Sequence, residues 1–464
     1  MQNRPLSLRC LRCLGRACYS TQAPRPVRGM VDRIGAAELR HRHIVGVAQA
    51  TAESFGYAPI HTPVLEYSSV YERTLGAGTD VVNKELYKFL DSSQQWMTMR
   101  PEGTAGVARA LISNGLERSL PQRLYYAGPM FRHERPQRGR LRQFEQFGVE
   151  AVGMAHPAVD VECIEMGWVL LRALGISGAE LQLNTLGDAP SRQAYRDALH
   201  RYFAERRSQL SEDSQRRLDL NPLRILDSKD VADAAAVADA PSFAAYLSAE
   251  SHRRLEFVCR GLEALRIPFT RNDRLVRGLD YYQHTVWEIV CASDRLGRSQ
   301  ATVLAGGRYD GLTAALGGAA SLPGVGWAMG TERLALLLED SQVPPLPRPI
   351  PILVVPERVD SPSGSVRAVS DDVYAYALQV AHTIRNTHSA YVAHSPCSSA
   401  GAQHQPLGKQ LAGVLSQTPS PAWVVIVGST EAEARQAIVR CSATQAQQTV
   451  GIGELGQMFA DLAE

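Results

Sequence analysis

The sequence predicts two domains: an α+β region over about 26–340 with a helical insertion at 188–265, then a small α/β domain over 352–464. Three observations predict this. Strand-patterned stretches around 128–150 sort polar and apolar residues onto opposite faces. Five prolines crowd into the nine residues from Val343 to Pro351, which makes 341–351 a stiff linker and a domain boundary. Beyond it, strand patterns alternate with helical ones.

The chain starts with a distinctive leader. From Met1 to Val31 there is no Asp or Glu, and Arg4, Arg9, Arg12 and Arg16 alternate with Leu6, Leu8, Leu11 and Leu14. Ser20 and Thr21 follow. An acid-free, Arg-rich, amphipathic start resembles a mitochondrial presequence, so residues 1–25 are expected to be a removable address for the mitochondrial matrix. An additional cytosolic pool stays open. Cys10 and Cys13 look like half a metal site or a redox pair, but no second pair stands at zinc-finger spacing.

Composition narrows the class of protein. The 464 residues suffice for two or three domains, and 45% hydrophobic with 21% charged residues is ordinary for a globular protein. No apolar run approaches the roughly 18–20 residues of a membrane span, so no membrane partner is expected. A net charge of +2 means that any RNA-binding face must come from local basic clusters. Only four of the 49 basic residues are Lys; the guanidinium fork suits phosphate binding, but a codon bias toward Arg is the reading for most of them. Cys163, Cys259, Cys291, Cys397 and Cys441 are scattered and read as buried thiols, not as a disulfide framework.

The densest chemistry lies between Gly128 and Glu150, read as two strands with a loop at about 135–139. Arg132 and Glu134 fall on one face of the first strand. Arg140, Arg142, Phe144, Gln146 and Glu150 share a face of the second, and Leu141, Phe147, Val149 and Ala151 take the other. A sheet face lined with arginines and carboxylates around an aromatic is built to hold a charged ligand. His133 falls among apolar neighbours and reads as a packed histidine. In the last domain, 352–355 and 423–428 read as strands, 373–384 and 431–439 as helices, and 448–452 as a closing strand. Ser361–Ser370 and Ser395–Gln405 read as polar loops.

Five further stretches give these residues a context. They are Arg100-Pro101-Glu102-Gly103-Thr104, Asn221 to Lys229, Leu275 to Tyr282, Ala305-Gly306-Gly307-Arg308-Tyr309-Asp310-Gly311-Leu312 and Gly324 to Leu334. With 128–150 they closely resemble, in the same order, the motifs of class II aminoacyl-tRNA synthetases of the histidyl branch. Leu39–Phe55, as a helix followed by a strand with Pro63, resembles motif 1. The resemblance covers about 27–340 well and the C-terminal domain loosely. It implies a class II catalytic fold, an antiparallel sheet flanked by helices, with an α/β anticodon-binding-like domain. It also implies histidine–tRNA ligase activity on L-histidine, ATP and histidine tRNA, and a homodimer through Leu39–Val70.

The resemblance also implies roles. Arg132 would bind the α-phosphate of ATP, with Arg277 approaching from the other side, and both are the expected catalytic residues. Glu134, Arg140 and Arg142 join them in binding ATP, with Arg140 on the γ-phosphate and Arg333 flanking the adenine. Glu102, Thr104 and Gln146 match the ligands of the α-amino group. Glu150 and Tyr282 match the imidazole contacts, with Arg277, Tyr281 and Tyr309 completing the histidine site. Arg135, Gln137 and Arg138 would meet the tRNA acceptor end. Mg²⁺ is expected to come with ATP, and no protein-bound metal is expected. The C-terminal stretch around Lys409 is poorer in charge than the resemblance leads one to expect. The competing reading is a catalytically silent relative acting as a regulatory or nucleic-acid-binding subunit; such a chain would be expected to lose Arg277, Arg333 or Glu102.

Overall fold

The structure is a computed structural model. It describes residues 24–461 apart from 77–78, 80, 227, 229, 297–300, 345–347, 356–368, 388–390, 394–406 and 417–420. The leader, Cys397 and most of the two polar loops of the last domain therefore lie outside the described residues. The chain divides into two units, Met1–Val343 and Pro344–Glu464.

In the first unit, helix α1 (Ala36–Ser54) buries Ile44, Ala48 and Ala52, four residues apart along one face. A short strand β1 (Ala58–Pro59) follows, and Pro63 lies in the loop beyond it, not in a strand as expected. A separate three-stranded sheet comes from β2 (Leu65–Tyr67), β3 (Lys88–Leu90) and β4 (Trp96–Met99), with α2 (Ser68–Leu75) after its first strand. Then come α3 (Thr104–Ser113), the hairpin strands β5 (Gln122–Phe131) and β6 (Gln143–Val152), and α4 (Ala158–Ala173).

Strand β7 (Ala179–Thr185) leads into the insertion, formed by α5 (Ala189–Ala204), α6 (Glu212–Leu220) and α7 (Ala234–Ala238) with 3-10 turns between them. These pack on their own small core around Tyr195, Leu199, Phe203 and Ile225. The expected insertion to residue 265 is too long. Helix α8 (Ala249–Ala264) sends Leu255, Val258 and Leu262 into the main core instead. The unit closes with β8 (Phe269–Arg271), β9 (Gln283–Cys291), β10 (Thr302–Arg308), α9 (Leu312–Ala315), β11 (Gly324–Gly330) and α10 (Thr331–Leu337).

Eight strands form the main sheet in the order β1-β5-β6-β11-β10-β9-β7-β8. Pairing is antiparallel throughout the middle and parallel only at the ends, β1 with β5 and β7 with β8. Period-two alternation explains its two faces. Phe147, Val149 and Ala151 of β6 stand opposite Met329, Trp327 and Val325 of β11, and all six are buried in the core with α1 and α4. The intervening Gln146, Gly148 and Glu150 face the other way, opposite Gly330, Ala328 and Gly326.

The second unit has a four-stranded sheet in the order β13-β15-β16-β17, formed by β13 (Ile352–Val354), β15 (Trp423–Val427), β16 (Gln436–Cys441) and β17 (Gln447–Gly451). A two-stranded parallel pair joins β12 (Arg348–Ile350) and β14 (Tyr391–Ala393), so a strand occupies part of the expected linker. Helix α11 (Asp371–Thr387) buries Val373, Ala377, Val380 and Ile384 at helical spacing, beside Leu455 and Phe459 of α14 (Ile452–Asp461). Helix α12 (Leu407–Leu415) leaves Lys409 exposed. The helix expected over 431–439 is overturned. Helix α13 (Ser429–Ala434) stops at Arg435, which takes a left-handed φ of 54°, and β16 begins at once. Ile438 and Val439 are β-branched and alternate with their neighbours, so the local preference there is for a strand.

Candidate active site

The polar face of the main sheet opens into a pocket of about 430 Å³. Parts of β6, β9, β10 and β11 contribute to it, with the 102–104 turn, the loop between β5 and β6, the segment before β9, and the start of α10. Glu102, Thr104, Arg132, Glu134, Arg140, Gln146, Arg277, Tyr281, Tyr282 and Arg333 all line it. These residues come from stretches more than 200 positions apart, so the fold, not local sequence, assembles them.

The arginines are individually anchored. Arg132 donates through Nε to the Pro101 carbonyl at 2.9 Å and lies over the Phe144 ring, 5.3 Å from its centroid. Arg140 pairs with the buried Glu134, which also stands 3.9 Å from Arg132. Arg333 donates to the Thr302 carbonyl at 2.6 Å and the Gly139 carbonyl at 3.4 Å. Arg277 pairs with Glu288 and lies 5.5 Å from the Tyr282 ring centroid. Burial pulls the Arg333 guanidinium below its ordinary pKa, and repulsion from Arg140 and Arg132 adds to it. Burial does the same to Arg140, with Arg132 adding and Glu85 opposing. Cations crowded this way favour an anion among them.

The carboxylates are equally fixed. Glu102 accepts the amide N–H of Thr104 at 2.7 Å and of Ala105 at 2.9 Å at the start of α3. Burial raises its pKa; those two bonds and Arg132 oppose the rise. Gln146 Oε1 accepts from the Gly103 amide at 3.2 Å and Tyr126 Oη at 3.3 Å. Glu150 accepts from Thr104 Oγ1 at 2.6 Å and from Tyr309 Oη. Burial pushes its carboxyl up to about 8. Glu332 also lines the pocket; burial raises it to about 7.

Glycine makes room for this layer. A Cβ on Gly326 would stand 2.1 Å from Glu150 Oε2, and one on Gly148 would stand 2.4 Å from Tyr126 Oη. Both positions need hydrogen where other residues carry carbon.

The residues match one family throughout this region. A family model described as histidyl-tRNA synthetase matches residues 29–334. The chain belongs to the histidyl-tRNA synthetase family. It is 52% identical over 333 residues to a histidine–tRNA ligase of Gluconacetobacter diazotrophicus, an alignment covering 72% of this chain and 79% of that one. It is 40% identical to one of Streptococcus equi subsp. zooepidemicus over 440 residues, covering 94% and 97%. Among solved structures, apo histidyl-tRNA synthetase of S. aureus superimposes with a TM-score of 0.72 at 28% identity, covering 94% and 100%. The Nostoc histidyl-tRNA synthetase, at 19% identity and TM-score 0.60 over 96% and 100% of the chains, shares the fold.

In this histidyl-tRNA synthetase family member, several expected residues sit outside the pocket lining. Arg142 turns away from it; its Nε donates to the Glu134 carbonyl at 3.1 Å and its Nη1 to the Arg28 carbonyl at 3.4 Å. Glu150 and Tyr309 are buried behind the lining, where Glu150 accepts from the Thr104 hydroxyl and Tyr309 donates to Glu150. Arg135, Gln137 and Arg138 are exposed on a turn whose Gln137 and Arg140 exchange backbone hydrogen bonds at 3.0 Å. Arg132, Glu134, Arg140 and Arg142 lie beyond the strand ends, not on the strands as expected. His133 is exposed, edge-on to Tyr87, because β5 ends at Phe131 and the alternation that would have packed it stops.

Sequence reasoning missed Glu288 and Thr302. Glu288 pairs with Arg277 and accepts from Thr302 Oγ1 at 2.7 Å, while the Thr302 carbonyl holds Arg333. The available signal was a carboxylate alternating with the buried Trp287 and Ile289 in β9. Also missed was the fully buried Arg308–Asp160 pair, which ties the end of β10 to α4. Among the described residues, no group of three or more His, Cys, Asp or Glu is placed to hold a metal ion, and no helix is long and apolar enough to cross a membrane.

Proposed function

We propose that this pocket is the catalytic centre of a histidine–tRNA ligase. L-histidine and ATP form histidyl-adenylate and pyrophosphate, and the histidyl group then passes to the 3′-terminal ribose of histidine tRNA. The observation that carries this reading is the convergence of Arg132, Arg140, Arg277 and Arg333 on a pocket also lined by Glu102, Thr104 and Gln146.

In the first step a histidine carboxylate oxygen attacks the α-phosphorus, and the bond to the pyrophosphate oxygen breaks. An anion approaches a polyanion, so the site must neutralise charge and hold the groups in line. Arg132 and Arg277 hold the α-phosphate from two sides, Arg140 takes the γ-phosphate, and Arg333 flanks the adenine, where a planar guanidinium suits stacking. Glu134 holds Arg140 in place. Mg²⁺ enters as the ATP complex. Glu102, Thr104 and Gln146 receive the α-ammonium group. Tyr282 faces the imidazole, with Tyr281 beside it, and Glu150 acts through Thr104 and Tyr309. Polar groups that would be left unpaired by an apolar side chain favour histidine over isosteres. Arg135, Gln137 and Arg138 lie off the sheet, positioned to meet the acceptor end.

The same reading makes the chain a homodimer through Leu39–Val70 and a protein of the mitochondrial matrix, the latter on the acid-free leader alone. ATP–pyrophosphate exchange with each amino acid in turn tests the activity. Exchange that depends on histidine and on no other amino acid is expected. Absence of exchange with any amino acid would mean a catalytically silent relative.

A further inference from the structure

The segment that presents Arg277 has a second side. Behind it lies another cavity, of about 340 Å³, between residues 276–282 and the helical insertion. Four arginines line it: Arg192 and Arg196 from α5, Arg224 from the 3-10 turn Pro222–Ile225, and Arg277. Asp280 is the one carboxylate among the lining residues.

The pairings leave positive charge over. Asp280 Oδ1 is shared by Arg224 at 3.3 Å and Asn221 Nδ2 at 3.0 Å. Glu288 pairs with Arg277 from the active-site side. Arg192 and Arg196 are held by neutral acceptors, the Tyr282 carbonyl at 2.7 Å and the Leu220 carbonyl at 2.9 Å. Burial lowers the Arg192 guanidinium from its ordinary pKa, and Asp280 and Asp188 offset this only in part. Three side-chain atoms of the lining residues are buried without a hydrogen-bond partner: Arg192 Nε, Arg277 Nε and Asn221 Oδ1. Buried polar atoms of this kind usually find partners, so three around one cavity call for a ligand. The unmet needs are donors for an anion and one acceptor for an O–H.

We propose that this cavity is a second phosphate-binding site, separate from the ATP pocket and assembled from Arg192, Arg196, Arg224 and Asn221. Forked guanidinium donors match phosphate oxygens, and Asn221 Oδ1 suits the hydroxyl of a monoprotonated phosphate or of an adjoining sugar. The phosphate comes either from a free anion such as pyrophosphate or from the backbone of an RNA end. The site stands on this cavity and does not depend on the reaction proposed above.

Crystals of the full chain soaked in tungstate, a phosphate analogue located by its anomalous signal, test the placement directly. A peak between Arg192, Arg196 and Arg224 is expected. Calorimetric titration of inorganic pyrophosphate should show a second equivalent per chain. The Arg196→Gln variant should weaken that equivalent about tenfold, as expected for one lost charge-assisted hydrogen bond, with the circular dichroism spectrum of the folded protein unchanged. Arg140→Gln should weaken the other equivalent and leave this one in place, which keeps the two sites distinguishable. Loss of the Arg196-dependent equivalent in the presence of an RNA hairpin ending in CCA assigns the site to RNA, and its persistence assigns it to the free anion. No peak at these arginines, or a second equivalent indifferent to Arg196→Gln, overturns the proposal.

Discussion

Glu288 holds Arg277 across the pocket wall, and Thr302 holds Glu288 in turn through a 2.7 Å hydrogen bond from its hydroxyl. The arginine proposed to meet the reacting phosphate is therefore pre-aimed, which would leave little reorganisation for the moment of reaction.

Arg277→Ala should slow histidine-dependent pyrophosphate exchange by about 10²- to 10³-fold while the protein stays folded. Glu288→Gln keeps the arginine and loosens its aim, so it should slow exchange by less, on the order of 10-fold, or about 1.4 kcal/mol. Near-normal exchange in Arg277→Ala would remove the assigned role. Circular dichroism on both variants separates this from unfolding.

Glu150→Ala should raise the histidine KM more than it lowers kcat, because the carboxylate supports Thr104 and Tyr309 behind the pocket. Tyr309→Phe should move KM the same way by a smaller factor, on the order of the 0.5–1.5 kcal/mol of one hydrogen bond. An unchanged histidine KM in Glu150→Ala would reject any part for this residue in binding histidine.

The same carboxylate gives a pH dependence. Its folded pKa of about 8 lies above the 4.5 of the unfolded chain, so between these values the native state holds the extra proton. Stability from this group is fully present below about 4.5 and is lost as pH rises through about 8. Thermal unfolding of the ligand-free protein should show Tm falling over that window, and Glu150→Gln should flatten the slope. Glu332, raised to about 7, adds a smaller fall of the same sign. An unaltered slope in Glu150→Gln would show that the carboxyl titrates elsewhere.

Met30 is a tempting internal start, and a chain beginning there should be impaired. The Arg142 amide donates to the Gly29 carbonyl at 2.8 Å, and its guanidinium reaches the Arg28 carbonyl. Both acceptors would be gone, at a cost of about 1–3 kcal/mol for the amide left unpaired. Forms starting near Ser20 and at Met30 should therefore differ in urea midpoint and in aminoacylation. Equal charging by both would refute this. A Met1 fusion that stays in the cytosol would refute the matrix address.

Light scattering at micromolar concentration should give a dimer. Leu65 and Tyr67, within the expected interface, are 43% and 55% exposed, and Phe89, Leu90 and Trp96 of the same small sheet are 43–50% exposed. So much exposed apolar side chain on one sheet is unusual for a monomer. Tyr67→Asp should shift the equilibrium toward monomer; a wild-type monomer would count against the interface.

The polar face of β6 was legible because period-two alternation alone separates Gln146 and Glu150 from Phe147 and Val149. The strand ends were not. The His133 amide bonds to the Glu85 carbonyl at 2.7 Å and the Arg142 amide to Gly29, so the hairpin is interrupted by partners more than 45 residues away. Glu288 was missed for a related reason: in β9 it is one polar residue among alternating ones until Arg277 folds against it. The strand from Gln436 was lost because the Glu- and Ala-rich run before it favours a helix, and nothing local announces the left-handed turn at Arg435.

The missing Cβ at position 326 constrains anyone who would re-engineer this protein for a different amino acid. Glu150 leans into space that exists only because the facing strand is bare backbone there. Larger substrates cannot be accommodated by trimming position 326, which is already minimal, and smaller ones cannot be gripped by enlarging it without evicting the carboxylate. On the proposed reading, changes of selectivity fall to Thr104, Tyr282 and Glu150 themselves, and a library that randomises position 326 should return almost nothing but glycine.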